Sequence, residues 1–394
     1  MRIALDGHSL GSGASGNSRY VLGLLEGLAQ VTAQTDDEIL LYMPAEHDSP
    51  RLELPTNERQ RLIPLRSRSA ISRLAWELPR RLRHDRADVA HFQYIGPLSS
   101  PCPLVVAVHD VSFCLAPGIL GWRTTWRMRL TTKRALRAAR VVLTPSAWSA
   151  QMVARFFPEA KERIRVVPLG VSANFSPTTD AEVADIEVAD AEVADAEVAD
   201  AGADPEIRAG LGLPDDYFLY VGRRQLRKNI SGLVESYARA LEQEPELPSL
   251  VLVGPSGEND RAWRARLAEN RLQDRVVVLD DVGDAALPAI YRGARIFLFP
   301  CRYEGFGLPV LEAMACGVPV IVADEGGLPE LVGHAGTRAD PTDPEAWAHA
   351  IVSLSRDAAR RQQLSARGLK IASRYSWRQT AEATFAEYAG ACRT

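Results

Sequence analysis

The sequence predicts an α/β protein built from two doubly wound domains, each a parallel sheet wrapped by helices. Three observations carry this. Short apolar runs alternate with longer amphipathic stretches, the pattern of successive strand and helix units. The 394 residues exceed one ordinary core, and about 150 residues per domain calls for two or three. An acidic repeat interrupts the alternation near the middle. Apolar residues at 46% and charged residues at 24% are ordinary for a folded chain and exclude fibrous and wholly disordered classes.

In the first half the strand candidates are Ile3–Leu5, Ile39–Tyr42, Val89–Phe92, Leu104–Val108, Val141–Thr144 and Ile164–Val167. In the second half they are Phe218–Val221, Leu250–Val253, Val276–Leu279, Ile296–Phe299 and Val318–Val322. Between the halves, Ala181–Asp200 is four tandem five-residue units of the AEVAD type. A period of five matches neither 3.6 nor 2, so no lasting apolar stripe forms and a linker is expected. The implied boundaries are residues 1–172, a linker over 173–206, residues 207–375, and a closing helix over 376–394 that returns to the first domain.

The net charge of −4 is unevenly spread. Lys and Arg outnumber Asp and Glu by 23 to 15 over residues 1–179, are absent against 11 acids over 180–206, and stand at 23 to 24 over 207–394. The first half should therefore favour anionic partners such as a phospholipid surface or a phosphate-bearing acceptor. Two stretches concentrate this charge beside apolar side chains: Arg59–Arg86, with Trp76, and Trp122–Arg140, with Trp122 and Trp126. The ordinary alternative is an amphipathic helix with its tryptophans turned inward. The chain starts without a secretion-type apolar core, no run of about 18 apolar residues occurs, and the 5 cysteines are scattered. A cytoplasmic protein is expected, with membrane contact at most peripheral.

Open sheets of this kind bind ligands beyond the carboxyl ends of their strands. After Phe218–Val221 the chain reads Gly222-Arg-Arg-Gln-Leu-Arg-Lys-Asn229, with four cations in six residues. Arg forks match phosphate oxygens and Lys adds a point charge, which suits a departing diphosphate; a solvated basic turn is the plain alternative. After Ile296–Phe299, Glu304 and Glu312 stand eight positions apart around Gly305, Phe306, Gly307 and Leu308, at a turn that opens a helix. The glycines let backbone N–H groups approach an anion, and Glu312 can reach a ribose.

After the first strand comes Gly11-Ser-Gly-Ala-Ser-Gly16, a glycine loop before an apolar helix. As a dinucleotide fingerprint it would need an acid about 20 residues on, and Asp36 and Asp37 are nearby. The helix is not expected to lead into a second strand, so the loop is read as facing an interdomain cleft. His109 and Asp110 end Leu104–Val108, where a His can bond a sugar hydroxyl or be a structural group locked by Asp110. No DxD triplet or HxxxH pair suggests a metal site, and neither GxSxG nor a Walker loop is present.

With these segments in place, the chain resembles glycosyltransferase family four, the retaining GT-B enzymes, from residue 1 to about 390 outside the acidic insert. The Glu-x7-Glu motif, met by Glu304 and Glu312, is the most specific element. The resemblance implies two Rossmann-like domains facing across a cleft, the first taking the acceptor and the second the donor. It gives pyrophosphate binding to Arg223 and Lys228 beside Gly222, a loop glycine at Gly16, sugar contact to His109 and Glu304, and the ribose to Glu312. The base pocket falls near Leu279–Val282. His109-Asp110-x-Ser-Phe113 is similar to bacterial mannosyltransferases of cell-surface polysaccharide. Leu226 and Cys301 depart from the usual Pro and Ser.

The implied activity is hexose transfer, mannose favoured, from a GDP- or UDP-sugar to a glycan or lipid-linked acceptor, with no cofactor, metal or nucleic acid. The rivals are a nucleotide-sugar epimerase and an inactive nucleotide-sugar-binding protein.

Overall fold

The computed structural model describes residues 1–10, 16–44, 59–67, 69–115, 121–177, 203–257 and 260–393. Gly11, Gly13 and the acidic repeat lie outside the described residues. The chain divides into two compact units, Met1–Gly170 with Tyr375–Thr394, and Val171–Arg374.

The first unit holds strands β1 (Arg2–Asp6), β2 (Glu38–Pro44), β3 (Gln60–Leu65), β4 (Val89–Gln93), β5 (Leu104–Ala107), β6 (Val141–Thr144) and β7 (Ile164–Val166). All pair in parallel, in the order β3-β2-β1-β4-β5-β6-β7. The central strands β4, β5 and β6 are buried along their whole length, which is why β5 reads as an unbroken apolar run, while β4 carries His91 and Gln93 into the interior. Helix α1 (Gly16–Val31) follows β1, and α2 (Trp122–Ala138) precedes β6.

The second unit holds β8 (Tyr217–Val221), β9 (Ser249–Val253), β10 (Val276–Leu279), β11 (Ala294–Phe299), β12 (Val320–Ala323) and β13 (Gly336–Ala339), again parallel, in the order β10-β9-β8-β11-β12-β13. Helix α3 (Ile230–Gln243) follows β8 and α4 (Leu308–Ala315) follows β11. Each sheet reverses its winding once, between β1 and β4 and between β8 and β11. Loops leaving the two strands at such a point diverge to opposite faces and leave a crevice at their carboxyl ends.

Helix α5 (Trp377–Arg393) closes the chain and packs along α1 within the first unit. Small residues make this possible. A Cβ on Gly23 would lie 2.0 Å from the Trp377 ring, and one on Gly27 2.1 Å from the Trp377 carbonyl oxygen.

Two features differ from the sequence reading. The chain enters β2 soon after α1, so a second strand does follow the glycine loop. Asp36 and Asp37 nevertheless precede β2, at the amino edge of a parallel sheet, whereas an acid reading a ribose must sit at the carboxyl edge. Strands β3 and β13 were not foreseen, and both are edge strands. Among the described residues no helix is long and apolar enough to cross a membrane.

Candidate functional site

The second unit brings its two chemical motifs to one place. The cationic segment leaves β8, the Glu-x7-Glu segment leaves β11, and these strands are neighbours at the reversal point. Gly222 follows directly on β8 with φ +147°, a backbone state that favours glycine. A 3-10 turn over Leu226–Lys228 and a left-handed Asn229 (φ 58°) then deliver the chain into α3. The Arg302 N–H donates to the Arg227 carbonyl at 2.9 Å, fastening the two loops together.

That turn aims two cations at Glu304. Lys228 Nζ donates to Glu304 Oε2 at 2.6 Å, and an Arg227 guanidinium N–H reaches the same oxygen at 3.1 Å and the Tyr303 carbonyl at 2.8 Å. Lys228 is only 6% exposed and its ammonium lies 4.6 Å from the centre of the Phe299 ring. Cys301, at the position where serine was expected, donates its thiol to Glu304 Oε2 at 3.4 Å. Burial alone would push the Glu304 pKa up, but Lys228 and Arg227 outweigh it and hold it at about 2. Glu304 is therefore a carboxylate throughout the neutral range, and burial pushes the Cys301 thiol up to about 11, leaving it protonated.

Gly307 caps the amino end of α4 with φ +103°. The loop after β12 closes against the same turn: the Gly327 N–H donates to the Glu304 carbonyl at 2.8 Å, and a Cβ on Gly326 would lie 2.6 Å from that oxygen. Gly305, Phe306 and Leu308 complete the turn. Glu312, on the first turns of α4, is 4% exposed and accepts from the Tyr291 hydroxyl at 2.8 Å.

The four cations after Gly222 separate into different roles. Arg223 is exposed, and its side chain makes no hydrogen bond among the described residues. Arg224 is fully buried; it pairs with Asp260 at 3.2 Å and with Asp280, and lies over the Trp263 ring. It thereby ties the loop after β8 to those after β9 and β10, the last being where a base pocket was expected. Arg227, Arg224 and the Gly326-Gly327 pair were not singled out from sequence. The signal available was their place just after strand ends.

In the first unit, His109 lies just beyond β5 against Tyr20, Gln93 and Tyr94. Its Nε2 lies 3.1 Å from Gln93 Oε1, and the Gln93 amide donates to Ser9 Oγ at 3.3 Å. That network places the ring proton on Nε2 and presents Nδ1 as an acceptor. Burial pushes the His109 pKa down to about 4. Asp110 does not lock it; its carboxylate accepts the Ser112 N–H at 2.9 Å. Tyr20 meets the His109 ring edge-on at 4.4 Å and its hydroxyl lies 3.2 Å from Nε2 of the buried His91, whose Nδ1 bonds the Tyr388 hydroxyl of α5. Gly16 opens α1, and a Cβ there would meet nothing within 4 Å.

Two parallel, doubly wound sheets in separate units, one carrying cations and a paired carboxylate at its reversal point, define a protein of two Rossmann-like domains. Residues 14–175 match the family "Glycosyltransferase Family 4" and residues 204–371 match "Glycosyl transferases group 1". The chain is 32% identical to O-antigen chain mannosyltransferase B of Escherichia coli over 95% of its own length and 96% of that protein. It is 38% identical to the D-inositol 3-phosphate glycosyltransferase of Stackebrandtia nassauensis over 48% of this chain and 47% of that one. Among solved structures it shares its fold with sucrose-phosphate synthase from Thermosynechococcus elongatus, with a TM-score of 0.74 and 22% identity over 99% and 98% of the two chains. It does so too with Anabaena HepE in complex with UDP and glucose, with a TM-score of 0.70 and 18% identity over 99% and 100%. The chain belongs to glycosyltransferase family four and is a glycosyltransferase of the GT-B fold.

Proposed function

We propose that the chain is a retaining, metal-independent hexosyltransferase. It takes mannose first, or glucose or N-acetylglucosamine, from a GDP- or UDP-sugar and passes it to a glycan or lipid-linked acceptor in polysaccharide assembly. The observation that carries this reading is the Lys228–Glu304 pair with Arg227 at the reversal point of the second sheet. The long match to an O-antigen mannosyltransferase supports mannose.

In this reading an incoming diphosphate competes for Lys228 and releases Glu304 to bind hydroxyls of the donor sugar. Arg223, lacking an internal partner among the described residues, turns onto the same phosphates. Glu312 receives the ribose hydroxyls, and Gly222, Gly305, Phe306, Gly307 and Leu308 shape the surrounding backbone. We assign His109 Nδ1 to a sugar hydroxyl, and Gly16 to close approach of the ligand.

The bond from C1 to the phosphate oxygen breaks as the acceptor oxygen bonds C1 on the same face, and the acceptor proton passes to the leaving phosphate. Glu304 keeps Arg227 after Lys228 turns to the phosphate, and a carboxylate still paired with a cation and bonded to sugar hydroxyls is a weak nucleophile, which favours this course over a glycosyl-enzyme. The cations stabilise the leaving charge.

The test is turnover with a panel of GDP- and UDP-hexoses, with glycan and lipid-phosphate acceptors and with EDTA present, reading the new linkage by NMR. Transfer with the anomeric configuration of the donor is expected. An inverted linkage, a strict need for Mn²⁺ or Mg²⁺, or a free epimerised sugar from donor alone would each contradict the proposal.

A further inference from the structure

The first unit exposes six large apolar side chains on segments that its backbone links, with Leu62 and Val166 exposed elsewhere. Nine large hydrophobic side chains are exposed among the described residues, and six of them are Ile71, Trp76, Leu98, Trp122, Trp126 and Leu130. Trp122, Trp126 and Leu130 recur every four residues along α2 and form one ridge, 73%, 64% and 46% exposed. The helix buries its opposite face, through Thr125, Thr132, Ala135 and Leu136. The tryptophans thus point outward, the reverse of an ordinary amphipathic helix.

Ile71 and Trp76, 78% and 63% exposed, come from a helical stretch distant in sequence. The backbone connects the two groups. The Leu98 N–H donates to the Leu74 carbonyl at 2.8 Å, and Arg134 of α2 donates to the Leu98 carbonyl at 2.6 Å. Leu98 thus bridges the segment bearing Ile71 and Trp76 to α2.

Helix α2 itself brings charge of one sign to this surface. Helix α2 carries six Lys and Arg and no acid in its 17 residues. Lys133 and Arg137 share Glu159, while Arg123, Arg127 and Arg129 form no ion pair with a described acid. Arg123 and Arg80 lie 5.2 and 5.9 Å from the Trp122 and Trp76 rings.

We propose that this surface docks on an anionic lipid bilayer, the tryptophans and Leu130 entering the interface and the arginines meeting lipid phosphates. Trp and Arg together suit that boundary, where an apolar body and a polar or charged tip are both satisfied. A second copy of the chain fits worse, because each face would bring unpaired cations against cations. The inference does not depend on the chemistry proposed above, since binding is read without turnover.

The test is sedimentation of the full chain with vesicles of phosphatidylglycerol and phosphatidylethanolamine, or of phosphatidylcholine alone, at low and high salt. Binding to the anionic vesicles is expected, weakening at least roughly tenfold at high salt, in Trp122→Ser/Trp126→Ser and in Arg123→Glu/Arg127→Glu. All four side chains are exposed, so melting curves should confirm that the variants fold. Equal partitioning to neutral vesicles, salt-insensitive binding, or variants that bind like the parent would overturn the proposal. So would a lipid-free dimer that the Trp substitutions dissociate, which would make the ridge an interface between copies.

Discussion

Glu304 is partly buried yet has a pKa of about 2, a pairing that requires cations at contact distance, and Lys228 and Arg227 provide them. Losing a group that stabilises developing charge costs about 3 kcal/mol, so Lys228→Ala should lower kcat more than about a hundredfold while a melting curve shows a folded protein. A second residue-scale prediction concerns pH. Burial, aided by the nearby His109, holds the His91 pKa down at about 3. Between pH 6.5 and that value only the unfolded chain takes up the proton, so stability should fall as pH falls, by roughly 2 kcal/mol at pH 5. Denaturant melts at pH 7 and 5 measure this, and His91→Gln should remove its share of the slope and leave that of His109, which is also held down. Lys228 and Glu304 were legible in the sequence because each lies in a loop that leaves a strand end, and Glu312 because its spacing from Glu304 carries it into the helix that follows. Which of the four cations faces Glu304 was not, because the 3-10 turn over Leu226–Lys228 fixes their directions. Nor was the Gln93–His109 bond, which joins neighbouring strands.

At the scale of elements, α1 and α5 meet through glycines that admit Trp377. Emptying that socket with Trp377→Ala should cost about 3–5 kcal/mol, and Gly27→Val should also destabilise by forcing a branched side chain against the Trp377 carbonyl; the thermal midpoint checks both. The buried strands were legible as apolar runs. Strands β3 and β13 were not, for a physical reason: each pairs on one side only, so a sequence such as Gln60-Arg-Leu-Ile-Pro-Leu65 can carry Arg61 and Pro64 at an edge where a central strand could not. The outward tryptophans of α2 follow the same logic, since helical spacing shows which residues share a face but not which face the sheet covers.

For the whole molecule, both sheets reverse their winding once, and the sequence placed both reversal-point motifs of the second sheet in advance. The composition of the acidic repeat at residues 181–200, without aromatic or basic side chains, suits a linker, so a chain lacking it should keep kcat within about twofold and melt like the parent. In the proposed reaction the loops after β8 and β11 hold a nucleoside diphosphate through side-chain cations. Titration calorimetry of GDP and UDP into the parent and Lys228→Ala, with EDTA throughout, tests it most directly. Binding of at least one nucleotide by the parent, weakened more than about thirtyfold in the folded variant, is the expected result. Equal affinities for parent and variant, or binding that appears only when a divalent metal is added, would contradict it.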